Sequence, residues 1–416
     1  MTFRHLYLAQ IASLLGTGLM TVALGLLAYH LAGPRAGQVL GTALAIKMVA
    51  YVVMAPIMRA TLAHFPTARV LIGADLIRLL MALSLPWVND VWQIYLLVFA
   101  LQSASATFTP TFASTIPVVV PDRDDYSRAQ SASRIAYDLE SVLSPMIAAL
   151  LLGVVSYSTL FVGTAVGFAV SALLVVTSGL RALTIDRPHH TAGDFWTRTT
   201  SGLRIMLSHR LFRGLLAANV AVAAATAVVV VSSVVYVRSV LGLDDSALAL
   251  ALGVFGGGSI TVATALPVIL RHVGTGRVIV VGAALCTIAL AATGVLLAVA
   301  PSTAGLLVIW AVAGAATSLI NTASPQLIRD HTDDADRDDV FTAQFSTSHA
   351  AFLVTYPLAG WAPAVIGIWA TPVLLAAVAL AGAVGAYRVW RHARSTVPSA
   401  ADDRIGVTLA GNALPG

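Results

Sequence analysis

Charge is what this sequence has least of. Only 10% of its 416 residues are Asp, Glu, Lys or Arg, whereas 58% are hydrophobic. A typical soluble domain has about 25% charged residues. The composition therefore excludes an ordinary soluble surface, an intrinsically disordered chain and a nucleic-acid-binding protein. One transmembrane helix needs about 20 apolar residues, so a chain of 416 residues has room for about a dozen such helices. The predicted class is therefore a polytopic protein of the lipid bilayer.

Three residue types are almost missing. Cys286 is the only cysteine, which excludes an internal disulfide and a CxxC metal or redox site. Lys47 is the only lysine and Glu140 the only glutamate, and both lie inside apolar runs. The chain also lacks the Walker sequence G-x-x-x-x-G-K-[ST], so no phosphate-binding loop of that kind is predicted. We expect no cofactor.

Apolar runs separated by polar or Pro/Gly-containing breaks predict twelve membrane-spanning helices and an all-α integral membrane protein. In chain order, the predicted spans 1 to 12 are 7–32, 38–58, 70–88, 93–120, 129–155, 158–180, 212–237, 247–270, 278–300, 305–328, 340–362 and 367–390.

Arginine residues indicate the orientation of these spans. They sit mainly in loops that follow even-numbered spans, such as Arg59 and Arg69 after span 2 and Arg271 after span 8. Positively charged loops stay on the cytoplasmic side, so both termini are predicted to be cytoplasmic. The bias toward Arg and Ala hints at a GC-rich bacterial genome, and the expected location is the bacterial cytoplasmic membrane.

The longest polar stretch, 181–211, divides the chain into two halves of six spans each. The predicted units are 1–180, the linker 181–211, 212–390 and a cytoplasmic tail, 391–416. The second part of the linker can form an amphipathic helix with Phe195 and Met206 among its apolar positions. Such a helix suits the membrane surface, although a plain connector fits the sequence equally well.

The two halves resemble each other. DRDDYSRAQ at 122–130 recurs as DRDDVFTAQ at 336–344, with six of nine positions identical. The pattern from Arg4 to Gln10 recurs from Arg213 to Asn219. The offset covers an even number of spans, so both copies share one orientation. Parallel repeats of this kind are typical of transporters built as two bundles around a midplane site. The sequence therefore predicts a 6+6 parallel repeat.

With these features the chain resembles the major facilitator superfamily over nearly its whole length. The family's loop after span 2 normally reads G-x-x-x-D-R-x-x-R-R. Here Arg59 stands in place of the glycine and Ala63 in place of the acidic residue. The departure puts the family's usual cytoplasmic gate latch in doubt, and a charged pair early in span 3 is either a substitute network or structural. The candidate gating and structural residues are Arg59, His64, Arg69, Asp75, Arg78 and Pro145.

Span 5 carries a second family signature. The stretch Ser144-Pro145-Met-Ile-Ala148-Ala149 resembles the antiporter signature G-P-x-x-G-G, with small residues in place of glycine. Small residues let helices approach closely, and proline bends a helix. In the family this signature goes with exporters. The resemblance extends to drug-type exporters, including macrolide, siderophore and nickel-resistance exporters, and it implies proton-coupled efflux.

Two charges are predicted at depth. Lys47 lies about ten residues into span 2 and Glu140 about twelve residues into span 5, which places both near mid-bilayer. Glu140 lies on a polar helix face with Ser133 and Tyr137, which argues for a wet cavity. Burial favours the neutral carboxyl group, so Glu140 is predicted to carry a proton or bind substrate. A static bridge to Lys47 is the alternative.

Asp138 lies four residues after Arg134 on the same span and can pair with it. The pair is either structural or involved in proton coupling. Polar residues on the other spans complete a predicted cavity, in line with the family, where spans 1, 4, 7 and 10 line it. The predicted cavity residues are Gln10, Thr17, Tyr51, Gln102, Thr109, Ser133, Tyr137, Asn219, Trp310, Asn321, Gln344 and His349.

The histidines do not form i, i+4 pairs within a span, so no metal site is predicted from the residues. A nickel, cobalt or other divalent-cation exporter remains an alternative that the resemblance implies. The acidic loop Asp330–Asp339 lacks the calcium-loop pattern and is predicted to be solvated. No clustered nucleophile, base or metal set lies in the spans, which argues against an enzyme.

The predicted function is a monomeric secondary exporter. It would exchange protons for a small organic molecule or cation. A transporter-like ligand sensor is a further alternative.

Overall fold

The computed structural model describes residues 2–32, 36–152, 154–180, 195–233, 235–243 and 245–394. Regular structure in these ranges is helical throughout. The α-helices are α1 (Thr2–Ala32), α2 (Ala36–Val49), α3 (Ala55–Leu62), α4 (Thr67–Ser84), α5 (Val91–Val119), α6 (Arg123–Leu152), α7 (Tyr157–Thr177), α8 (Phe195–Ser208), α9 (Arg210–Ala227), α10 (Asp245–Val273), α11 (Thr275–Val299), α12 (Thr303–Asp330), α13 (Arg337–Ile366) and α14 (Ala370–Arg394).

Eleven helices in the described part of the chain are long and apolar enough to cross a membrane, counting α2 and α3 as one. The remaining predicted span, span 5, corresponds to α6. It is as long as the others but carries Arg134, Asp138 and Glu140, which lower its hydropathy. The predicted all-α membrane fold with two six-helix bundles is confirmed.

The two bundles are built alike. In the first, α1 packs along α7, and in the second α9 packs along α14. Glycine permits the closest crossings: a side chain at Gly258 or Gly314 would overlap the backbone of the facing helix, α12 or α10. Phe161 and Phe168 are fully buried in the first bundle, and Phe212 is fully buried in the second.

Predicted span 2 contains an irregular turn. A π-helical segment, Ala50–Met54, joins α2 to α3, and Pro56 lies in the first turn of α3. A π turn leaves a backbone carbonyl outside the regular i→i−4 ladder. Here the carbonyl of Val52 accepts a hydrogen bond from Ser346 Oγ of the second bundle at 2.5 Å. Span 7 has similar segments at Val228–Ser232 and Val235–Val240.

The linker contains the helix α8, whereas 181–194 lie outside the described residues. Met206 of α8 is buried in the second bundle's core, and Gly202 packs directly on the Asp339 backbone of α13. Leu203 and Leu207 are exposed. At the chain end, α14 continues to Arg394, so the first residues of the predicted tail are helical. Residues 395–416 lie outside the described part.

One end of the protein carries the start of α1, the α3–α4, α5–α6 and α10–α11 turns, α8 and the α12–α13 turn. We call this end the arginine-rich face, because Arg59, Arg123, Arg271 and Arg329 lie there.

Candidate functional site

A cavity of about 540 Å³ lies between the two bundles. Helices α1, α2, α5 and α6 contribute walls from the first bundle, and α9, α10, α12 and α13 from the second. The lining comes from the middle and arginine-rich portions of these helices. The cavity thus occupies the seam along which two bundles can move.

Ten of the twelve predicted cavity residues line this cavity: Gln10, Thr17, Tyr51, Thr109, Ser133, Tyr137, Asn219, Asn321, Gln344 and His349.

Gln102 and Trp310 do not line it. Gln102 is buried in the first bundle at 5% exposure. Trp310 is fully buried, and its indole N–H donates to Ser233 Oγ at 2.9 Å. The structure therefore places Gln102 and Trp310 in the interior of their bundles, because a polar residue at helical spacing can face a neighbouring helix as readily as a cavity.

Polar side chains tie the first and fifth helices of each bundle together at the cavity wall. Gln10 Nε2 donates to Ser133 Oγ at 2.5 Å, and the Ser133 hydroxyl donates back to Gln10 Oε1 at 2.9 Å. In the second bundle, Asn219 Nδ2 donates to Gln344 Oε1 at 3.1 Å. Gln10, Asn219 and Gln344 are the last residues of the repeated motifs, so the repeats meet in space.

Lys47 and Glu140 both line the cavity. In the described residues, no nitrogen–oxygen contact of 4.0 Å or less joins them. The ammonium group of Lys47 lies 5.5 Å from the centre of the Tyr51 ring. Glu140 lies beside Gly18 of α1, where an added Cβ atom would come within 2.6 Å of Glu140 Oε1. The alternative of a direct Glu140–Lys47 bridge therefore does not match this arrangement.

Asp75 and Arg78 form a buried ion pair in α4. Arg78 also donates to Ser13 Oγ at 2.9 Å, and Asp75 accepts from Ser171 Oγ at 2.8 Å. The guanidinium group lies over the rings of Phe108 and Phe168, at 4.2 and 4.5 Å from their centres. Most of this network holds α1, α4, α5 and α7 together, although Arg78 also reaches the cavity.

Asp138 points away from the cavity, toward α10. Its carboxylate pairs with Arg134 at 2.7 Å and accepts a hydrogen bond from Ser259 Oγ at 2.5 Å. Ser259 belongs to the second bundle, so this buried group joins the bundles across the α6–α10 seam. Arg134 lines the cavity from the other side of the pair.

An aromatic cluster faces Lys47. Tyr51 of the π-helical segment contacts Phe345 and His349 of α13, with ring centres 4.9 and 4.8 Å apart. His349 Nδ1 lies 2.7 Å from the carbonyl of Phe345. Phe352 extends the cluster along α13. Phe345 and Phe352 were not predicted as cavity residues, because an apolar ring on a membrane helix carries no sequence signal that separates a cavity from lipid.

No group of three or more His, Cys, Asp or Glu side chains that could hold a metal ion occurs within the described ranges. The cavity brings together Glu140 and His349 but no third residue of these types.

The sequence profile of the Major Facilitator Superfamily matches residues 6–293, well over half of the chain. The chain belongs to the Major Facilitator Superfamily. No curated protein matches the sequence significantly. The superfamily fold makes this protein a multi-pass membrane protein and a secondary transporter with alternating access for a small-molecule substrate, not an enzyme.

Solved structures with the same fold cover nearly the whole chain. It is similar to the human organic anion transporter MFSD10, with a TM-score of 0.78, 12% identity, and coverage of 92% of this chain and 98% of that one. A bacterial homologue of the iron transporter ferroportin, in the outward-facing state with soaked iron, has a TM-score of 0.74 and 14% identity, with coverage of 94% of this chain and 98% of that one. The proton:xylose symporter XylE, bound to 6-bromo-6-deoxy-D-glucose, has a TM-score of 0.70 and 13% identity, with coverage of 93% of this chain and 95% of that one. At these identities the likeness shows the fold alone.

Arg59, at the position where the superfamily's loop after span 2 normally begins, pairs with the second bundle. Arg59 pairs with Asp339 at 2.8 Å and with Asp338 at 3.4 Å, both at the start of α13. Ser201 of α8 donates to the same Asp339 at 2.5 Å. Arg59, which replaces the family's glycine, thus joins the two bundles through the second DRDD motif. Asp339 connects first bundle, linker helix and second bundle.

Further contacts hold the arginine-rich face together. Arg123 pairs with Asp330 at 2.8 Å, and Arg271 with Asp124 at 2.5 Å. The backbone N–H groups of Asp125 and Asp124 donate to Asp122 and hold its pKa below the usual range. The acidic loop Asp330–Asp339 is only partly solvated, contrary to the sequence prediction. Its first aspartate pairs with Arg123 and its last with Arg59, both from the other bundle.

The remaining predicted gating residues lie nearby. His64 Nε2 lies 3.4 Å from Arg198 Nη1 of α8. Arg69 is exposed in the first turn of α4. The side chain of Pro145 lies outside the described part, but its neighbour Ser144 is buried against Gly18. Small residues at this crossing bring α1 and α6 close together, as the antiporter-like signature implies.

Proposed function

We propose that this transporter exports a small organic molecule in exchange for inward-moving protons, and that Glu140 carries the proton. The observation that carries the proposal is the position of Glu140. It is an acidic side chain on the cavity wall that makes no direct ion pair in the described residues. The other acidic groups near the cavity, Asp75 and Asp138, are neutralised by Arg78 and Arg134.

A carboxyl group in a low-dielectric cavity is favoured in its neutral form by desolvation and in its ionised form by a nearby cation. Lys47 is such a cation, held at a distance that leaves both groups accessible to water or ligand. Protonation of Glu140 changes the net charge of the cavity by one. Substrate affinity therefore changes with protonation, which is the coupling an antiporter needs.

One observation supports export over import. The Ser144-Pro145 stretch resembles a signature that accompanies exporters, and Ser144 packs against Gly18 of α1 next to Glu140. The arginine-rich face, which the positive-inside rule places in the cytoplasm, is held together by the Arg59–Asp339 and Arg123–Asp330 pairs. In an exporter of this kind, that is the state in which Glu140 takes up a proton from outside. We propose a monomer in a bacterial cytoplasmic membrane as the working unit.

The test begins with a deletion strain and an overexpressing strain, profiled for resistance to antibiotics, siderophores and metal salts. The compound found is then followed in everted membrane vesicles. Acid-inside everted vesicles should accumulate the compound, and collapse of the pH gradient should release it. Accumulation that is indifferent to the gradient would refute proton-coupled export, and exchange of no compound would favour a ligand sensor.

A further inference from the structure

The charges on the cavity wall divide into two kinds. Arg78 is paired with Asp75, and Arg134 with Asp138. Lys47 and Glu140 also line the cavity, but in the described part of the chain neither makes an ion pair within 4.0 Å or a hydrogen bond. The cavity thus offers one available positive group and one available negative group.

We propose that the cavity binds a zwitterion, a small organic molecule with one ammonium and one carboxylate group on an aromatic or apolar body. The carboxylate would lie at Lys47 and the ammonium group at Glu140. The inference rests on the proposed transport function and names the substrate class for the same site.

Charge complementarity distinguishes this class from simpler ions. A monocation that binds Glu140 meets repulsion from Lys47, and a monoanion that binds Lys47 meets repulsion from Glu140. Such repulsion is strong where water is scarce. A molecule with both charges satisfies both residues and leaves the cavity neutral, so it avoids the cost of a net charge inside the membrane.

The wall around the two charges suits the body of such a molecule. The ammonium group of Lys47 lies near the Tyr51 ring, which contacts the rings of His349 and Phe345. Glu140 lies on the cavity wall formed by α6, against α1 at Gly18. An aromatic body can stack on the α13 rings while its ends reach the two charges. The amide pair Asn219–Gln344 supplies polar groups on the remaining wall.

Exchange of a neutral zwitterion for a proton moves one positive charge inward per cycle. At a membrane potential of 100 mV, inside negative, this adds about 50-fold to the attainable gradient. Exchange of a monocation for a proton moves no net charge, so the membrane potential adds nothing to its attainable gradient. Zwitterion export is therefore sensitive to voltage. The charged and titratable groups that line the cavity with Glu140 are Lys47 on α2, Tyr51 on the π-helical segment, Arg78 on α4, Arg134 and Tyr137 on α6, and His349 on α13.

The test uses the full-length protein in lipid nanodiscs and three matched probes. L-tryptophan is a zwitterion, tryptamine is a cation, and N-acetyl-L-tryptophan is an anion, all with the same ring. Calorimetric titration near neutral pH should show L-tryptophan binding about tenfold more tightly than either analogue. Equal binding of the three, tighter binding of one analogue, or no binding of L-tryptophan at its solubility limit would overturn the proposal.

Two variants assign the charges. Lys47→Met should remove the preference over the cation tryptamine, and Glu140→Gln should remove the preference over the anionic N-acetyl form. Arg128→Gln, which breaks an exposed pair on α6, should leave all three affinities unchanged. The wild-type comparison alone remains decisive if a variant does not fold.

Binding is measured without a gradient, so it does not depend on proton coupling. A protein that prefers the zwitterion but shows no proton-driven transport would refute the proposed function alone. Proton-driven export of a compound that carries one charge, with no preference for L-tryptophan, would refute the zwitterion site alone.

Discussion

Glu140 and Ser144 lie on one face of α6, and Gly18 of α1 packs against both. A methyl group at Gly18 would overlap the side chain of Ser144 and come within 2.6 Å of Glu140. Glycine is therefore required here for close approach and not for backbone conformation. Gly18, which has no side chain, thus packs against the proposed proton carrier Glu140.

Gly18→Ala should destabilise the protein by about 1–3 kcal/mol, because the added methyl group overpacks a tight crossing. It should also lower proton-coupled transport, because Glu140 must move. Gly25→Ala on the same helix is the control, since nothing lies within 4 Å of its added methyl group. The control should be neutral or stabilising by up to about 1 kcal/mol. Thermal unfolding in detergent measures the stability of the two variants. Equal effects of Gly18→Ala and Gly25→Ala on stability would contradict this packing.

The buried pair Asp75–Arg78 gives a second prediction. Asp75→Asn leaves the Arg78 charge without its carboxylate and should cost about 3–5 kcal/mol. Replacing both partners, with Asp75→Asn and Arg78→Leu, should recover part of that loss because no uncompensated charge remains. Thermal unfolding is the measurement, with Arg128→Gln as the exposed control, worth about 0–1 kcal/mol. A double variant less stable than Asp75→Asn would contradict a mainly structural pair.

Among the helices, α3, α8 and α13 form one closure at the arginine-rich face. Arg59 from α3 and Ser201 from α8 meet at Asp339 of α13. Gly202 of α8 packs directly on the Asp339 backbone. The linker helix therefore takes part in the contact that holds the bundles together, and a change in either partner should loosen this face.

Arg59→Gln should shift the protein toward the conformation that is open at the arginine-rich face. Loss of a partly buried pair worth ~1 kcal/mol changes the ratio of the two states about fivefold. Spin labels at Arg69→Cys and His272→Cys, both exposed and on different bundles, report the separation. Cys286 is fully buried and does not compete for label. An unchanged distance distribution would show that Arg59 does not hold this face closed.

The same region shows the limit of prediction from sequence. The sequence shows that the family's glycine and acidic residue are replaced. It does not show that Arg59 pairs with Asp339, 280 positions away. Gln102 and Trp310 show a related limit, since helical spacing assigns a face and not what that face touches. The membrane helices were predictable because the thickness of the bilayer requires long apolar runs. Helix α6 was also predictable, because its polar residues recur at helical spacing and leave the rest of the run apolar.

For the whole molecule, the arginine distribution predicts that the arginine-rich face lies in the cytoplasm. A cysteine at His272, in this face, should react with a membrane-impermeant maleimide in everted vesicles but not in intact spheroplasts. A cysteine at Val299, at the other end of α11 and exposed, should show the opposite pattern. The reverse result would invert the topology and with it the proposed direction of transport.

The duplication is also a whole-molecule feature, and its two halves have diverged in chemistry. Both keep a polar pair between their first and fifth helices, Gln10–Ser133 and Asn219–Gln344. The available charges, Lys47 and Glu140, lie only in the first half, and the aromatic cluster is carried mainly by α13 of the second. One bundle therefore supplies charge and the other supplies much of the apolar surface.

Paired flux assays in proteoliposomes test the role of Glu140 most directly. Wild-type protein should show both counterflow of the exported compound and flux driven by a pH gradient. Glu140→Gln should keep counterflow at a saturating concentration of the compound, because this exchange needs no proton and the two bundles can still rock, and should lose the gradient-driven flux. Leu139→Gln, at the lipid-facing neighbour, is the control for insertion of a polar side chain. Gradient-driven flux at the wild-type rate in Glu140→Gln would contradict the account.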